Sequence, residues 1–173
     1  MLHFGKALTA FGASTDRRRR KGRAARSVCG LATGSFLTFV GMVQAQVWDG
    51  SVDTDWSDGN NWVGDVAPTT GGTVSITDNT SNPTELSTTA TVATTTISGT
   101  GVLTITAGGS LTSTVTLTGG SVFVNGTIMG VTTMTGGTLT LTAGDVGAVT
   151  MSDGLFDVDG GAAGAVAITG GTL

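Results

Sequence analysis

The chain has 173 residues, 39% of them hydrophobic and only 12% charged, and its formal net charge of -4 comes from 8 Lys+Arg against 12 Asp+Glu. All eight cations precede residue 27, His3 and Cys29 lie in the same leader, and from Gln46 onward the only charged side chains are carboxylates. A surface without cations cannot neutralise phosphates, which argues against DNA, RNA and anionic membranes as partners; without Cys or His, thiol chemistry and the usual zinc sites are closed to it as well.

Residues 1–45 have the three parts of a secretory signal peptide: an extended basic n-region through "DRRRRKGR", the apolar run "LATGSFLTFVGMV" (Leu31 to Val43), and small residues around Ala45, after which cleavage is expected. The apolar run is too short for a transmembrane helix, which needs about 20 residues. Arg20 and Lys21 occupy the place where a twin-arginine signal carries apolar residues, so ordinary export is expected. Cys29 precedes the apolar run, the wrong side for a lipid-modified N-terminus. The mature part is therefore expected to be secreted or on the cell surface. It would meet a membrane only through the export leader or through a C-terminal anchor that the chain lacks.

Residues 46–73 hold all three tryptophans, Trp48, Trp56 and Trp62. They read as an N-terminal cap whose rings cover the open end of the following coil, with a sugar-stacking face as the alternative. "DTDWSDG" is close to a calcium loop starting at Asp53, but the turn glycine falls one position late at Gly59 and Gly64 stands where a closing bidentate glutamate belongs. That motif is rejected, leaving an irregular carboxylate site as the residual reading.

Residues 74–173 carry a repeat. Leu117, Met134, Met151 and Ile168 are 17 residues apart and open the phrases "LTGGSVFV", "MTGGTLTL", "MSDGLFDV" and "ITGGTL". Gly120, Gly137, Gly154 and Gly171 share one column; Val122, Leu139, Phe156 and Leu173 share another. Apolar and polar residues alternate with period two between the glycines, as half-buried strands require. Seventeen residues leave no room for a strand and a crossover helix. The tract therefore predicts an all-β fold, a right-handed parallel β-helix or solenoid with roughly 17-residue coils. "ISGTGVLTITAGG" (Ile97 to Gly109) reads as a longer earlier coil, and Val74, Ile76, Leu86 and Val92 as irregular coils before it. At Leu173 the chain stops part-way through a phrase, so a truncated repeat array is expected.

Two outward constellations stand out. Asp157 and Asp159 lie two apart on one strand, about 7 Å from each other. Such a pair can hydrolyse glycosides by inversion, but no cation or aromatic accompanies it, and solvated surface is the preferred reading. Thr116 and Thr118, Thr133 and Thr135, then Thr150 and Ser152 flank the inward residue of successive coils. Stacked in register, their hydroxyls would form two ladders about 4.8 Å apart between coils and about 6.7 Å apart along the strand, the kind of flat face that ice-binding solenoids present.

The run "WDG...DTDWSDGNNWVGDVAP...GGTVSI", followed by "TTTISGTGVLTITAGG" and Gly/Thr-rich repeats, resembles the start of bacterial passenger domains with autotransporter-associated β-strand repeats. The resemblance implies an exposed β-helix, adhesive or structural, with no catalytic residues, cofactor or metal to carry over. Its implied partners are glycans or molecules of a host or neighbouring cell surface. The chain departs from that pattern in lacking a C-terminal outer-membrane β-barrel. The functional expectation is a non-enzymatic secreted or surface module, with a carbohydrate-binding or carbohydrate-active β-helix as the alternative and ice binding as a remote one.

Overall fold

The computed structural model of the chain describes residues 45–78 and 81–173. The leader and its signal-peptide reading fall on residues 1–44 and lie outside the described residues.

The described chain is all-β apart from one 3-10 turn, Gly59–Asn61, and every strand ladder in it is parallel. Each coil supplies strands to three stacks, here called faces I, II and III. Face I runs from Gln46–Val47 through Thr73–Ile76, residues 94–97, 114–117, 132–134 and 149–151 to Val166–Ile168. Face II stacks Thr84–Leu86, Val102–Ile105, Ser121–Val124 and residues 138–141 and 155–158. Face III stacks residues 89–91 and 110–112, then Thr127–Met129, Asp145–Val146 and Ala162–Ala163. The predicted β-solenoid is what the chain forms, with about five turns.

The register explains both the strict repeat and its irregular start. On face I, Val74 pairs with Thr95 and Thr95 with Val115, steps of 21 and 20 residues; Val115, Thr132, Val149 and Val166 then follow at 17. On face III, Ile128 pairs with Val146, 18 residues on, while Val146 pairs with Ala163 after 17. One residue has moved from one corner of the coil to the next without changing its total length.

Period-two alternation sends one set of side chains inward. Ile97, Leu117, Met134 and Met151 form one buried column, and Leu103, Val122, Leu139 and Phe156 another. Each such side chain taken from water contributes about 1.5–3 kcal/mol. Strand Thr132–Leu141 is continuous from face I to face II and bends at Gly137, whose φ of +78° lies in the left-handed region that costs a side-chain-bearing residue about 1–2 kcal/mol. The column predicted for that corner holds, since Gly120, Gly154 and Gly171 share the positive φ.

The threonines of the repeat do not all face water. Thr84, Thr95 and Thr132 point inward and are fully buried, in columns whose other buried members are Val, Leu and Phe156. The Thr95 hydroxyl is paired with that of Ser113 at 2.9 Å, whereas the hydroxyl oxygens of Thr84 and Thr132 have no partner. Threonine shares valine's shape and strand preference, so the phase of the strand rather than the polarity of the residue decides where it points.

Candidate functional site

The cap is built around its tryptophans. Trp48 and Trp62 form an antiparallel bridge, and the Trp62 ring meets Trp48 and Trp56 edge-to-face, with centroids 5.0 Å away in both cases. The Trp62 indole N–H donates to the Trp56 carbonyl at 2.8 Å, and that of Trp48 to the Asn82 carbonyl at 2.9 Å. All three residues are 0–3% exposed. The rings thus cover the end of the core, and none offers an open face on which a sugar ring could stack. The ligand-face alternative for Trp48, Trp56 and Trp62 lacks the exposed aromatic surface it requires.

Asn61, unremarked in the sequence, is the hub of the same segment. It is fully buried, its Oδ1 accepts from the backbone N–H groups of Val52 and Asp53, and its Nδ2 donates to the Asp53 carboxylate and the Asp55 carbonyl. The only sequence signal for it is the position of "GNNW" next to a buried tryptophan. The Asp55 backbone N–H and the Asn61 amide hold the Asp53 carboxyl below the usual carboxylate range.

The acidic residues of "WDGSVDTDWSDG" are turned onto their own loop. Asp49 accepts from Ser51 N–H, Asp55 from the N–H and hydroxyl of Ser57, and Asp58 from Asn60 N–H while capping the 3-10 turn. Among the described residues no group of three acidic, His or Cys side chains is arranged to hold a metal ion.

The threonine ladder is partly realised. Ser75, Thr96, Thr116, Thr133 and Thr150 are consecutive partners across face I, a longer column than the sequence suggested, and it ends at Ala167. The second ladder is interrupted: a bulge pairs Thr135 with Asp153 rather than Ser152, whose hydroxyl instead donates to the Met134 carbonyl. Thr118 likewise donates to the Ile97 carbonyl. The regular lattice of two hydroxyl ladders expected from Thr116, Thr118, Thr133, Thr135 and Thr150 is therefore reduced to one continuous column. Every outward side chain of this face is uncharged, because all the carboxylates lie in the cap, at corners or on faces II and III.

Asp157 is paired with Thr140 one coil earlier on face II and is exposed, as is Asp159. No described residue supplies a cation around them, and the one exposed aromatic of the same outward column, Phe123, stands two rungs away from Asp157 beyond Thr140.

A cavity of about 350 Å³ lies where the cap meets the first coil of face III, lined by Trp56, Ser57, residues 67–70 and residues 88–91. Its lining carries no charge. Threonine and serine hydroxyls alternate there with Ala67, Pro68, Ala90 and the edge of the Trp56 indole. The sequence carried no signal for it, because its two walls are about twenty residues apart in the chain and meet only when the coil closes.

Among known proteins, a family model described as a domain of unknown function (DUF8693) matches residues 47–131. The match starts in the cap and ends one residue before strand Thr132–Leu141, so it takes in the longer early coils and leaves the last strict repeats outside. Neither the curated proteins nor the solved structures provide a match.

Proposed function

We propose that the chain is a secreted or cell-surface structural module of autotransporter-passenger type, non-enzymatic, acting as a rigid acidic spacer with an adhesive outer surface. The observation that carries this reading is the continuous solenoid itself. Its interior is filled by side chains from one coil to the next, its cap is closed by three buried rings, and its outer faces carry hydroxyls, small residues, scattered carboxylates and single exposed hydrophobic side chains such as Phe123, Met129 and Val131. Stacked coils supply length at about 4.8 Å per turn and repeat the same outward groups along the axis, the arrangement a multivalent, weakly adhesive surface needs.

Export is the part of the reading that one experiment decides. Full-length chain expressed in a bacterium with an intact secretion system is expected to be cut after Ala45 and to be degraded by protease added outside intact cells. An uncut chain protected inside the cells would refute it. Adhesion is read separately, by the retention of cells or of immobilised glycans on chain-coated beads.

A further inference from the structure

The cap closes two of the three faces and leaves the third open. On face I, Gln46–Val47 forms a rung below Thr73–Ile76. On face II, the cap bridges to Glu85, which donates from its N–H to the Thr54 carbonyl at 2.7 Å and accepts from Trp56 N–H at 3.0 Å. On face III, residues 89–91 pair with 110–112 along one edge, and no described strand pairs with the other. Ser110 N–H binds the Thr88 carbonyl, and the alternation of a parallel ladder then turns the N–H and C=O groups of Thr89 and Thr91 toward the unpaired edge. That edge is where the cavity of about 350 Å³ lies, with residues 67–70 as its far wall.

We propose that this cavity is a vacant rung of face III, and that it accepts an extended peptide segment of a partner protein by strand addition to Thr89 and Thr91. Unpaired donors and acceptors along a strand edge are a template for a strand, and a three-residue edge matches about 10 Å of extended chain. The lining sets the chemistry of the segment. Uncharged hydroxyls, Ala67, Pro68 and Ala90 call for small uncharged residues inside the groove. Asp55 and Asp58 flank Ser57, Asp65 precedes Ala67 by two residues, and the described chain has no cation, so Lys or Arg on either side of the inserted residues would meet only opposite charge. A neutral sugar fits the same volume less well, because Trp56 is 3% exposed and gives it no ring face to stack on. This site does not depend on the export reading and can be tested without it.

The test uses the full chain and a synthetic peptide of sequence KKSVTVSKK. Hydrogen exchange should show the Thr89 and Thr91 amides fast in the free chain and protected when peptide is added. A peptide with Pro for its central Thr, or with Glu for its Lys residues, should bind at least about tenfold more weakly, since it loses backbone bonds or meets like charge. Thr91→Pro removes only a groove-facing N–H at an edge position that tolerates proline, and should reduce binding by a similar factor. If that variant fails to fold, Thr70→Trp, a change at an exposed residue of the groove wall, should block the site instead. No protection at Thr89 and Thr91, equal binding of the proline peptide, full binding by a folded Thr91→Pro or Thr70→Trp variant, or protection by a neutral oligosaccharide but not by the peptide would each overturn the proposal.

Discussion

The buried hydroxyls of face I make a prediction whose sign depends on a single hydrogen bond. Thr132 is fully buried between Val115 and Val149 in one inward column, and its hydroxyl oxygen has no partner. Replacing it with valine swaps that hydroxyl for a methyl of nearly the same shape, at a position whose neighbours above and below are already valine. An unsatisfied buried hydroxyl costs about 1–3 kcal/mol, so Thr132→Val should stabilise the solenoid by about 1–2 kcal/mol once part of that cost is lost to imperfect packing of the methyl. Thr95 occupies the same column two coils earlier and is equally buried, but its hydroxyl shares a 2.9 Å bond with Ser113. There the same substitution removes a made bond and weakens the satisfaction of Ser113, for a loss of about 1 kcal/mol.

The pair is measured by urea denaturation followed by far-UV circular dichroism, with the midpoint compared at constant slope. Thermal midpoints should move in the same directions, by about 2–4 °C per kcal/mol for a chain of this size. Repeat arrays can unfold in stages, so coincidence of the dichroism and tryptophan transitions is the check that one midpoint describes the whole. If both variants shift with the same sign, hydrogen-bond satisfaction does not govern these interior positions. If Thr132→Val is destabilising by more than about 0.5 kcal/mol, its hydroxyl has a partner and the reasoning fails.

Two further perturbations probe the corners and the cap. Gly144 has φ +73° and an added Cβ would stand 1.8 Å from the Gly126 carbonyl oxygen of the preceding coil, so Gly144→Ala should cost about 2 kcal/mol or more in the same denaturation assay, whereas an alanine at the open Gly71 should cost only its backbone strain. In the cap, the Asp53 carboxyl is lowered from 3.8 by the Asp55 N–H and Asn61, so its contribution to stability is present above that value and is lost as pH falls through the lower folded-state value; Asp53→Asn should flatten this acid limb of a pH titration of stability, and an unchanged limb would place the acid sensitivity elsewhere.

The linear pattern made most of the architecture legible. Columns of Leu117, Met134 and Met151 at a fixed spacing, with Gly120, Gly137 and Gly154 at the same spacing three residues on, specify strand phase, corner and stacking partner together, because in a solenoid the neighbour in space is the residue one coil away in the chain. Burial of the tryptophans was also foreseeable from their place ahead of the first coil. The pattern did not reveal which threonines lie inside. Thr132 and Thr133 are adjacent and identical, and only the pairing of Thr132 with Val115 puts the first in the core and the second in water. The bulge that takes Ser152 out of the hydroxyl ladder was equally silent, since a one-residue slip around Asp153 and Gly154 leaves the 17-residue period intact. The groove on face III belongs to the same class: Pro68 and Thr91 become its opposite walls through closure of one coil, and its openness reflects what the cap leaves unpaired. Periodicity thus determined coil and corner, because each is a local and repeated choice. Tertiary structure alone decided which polar groups are satisfied and which strand edge is free, because those depend on the one pairing register among several that the same repeat allows.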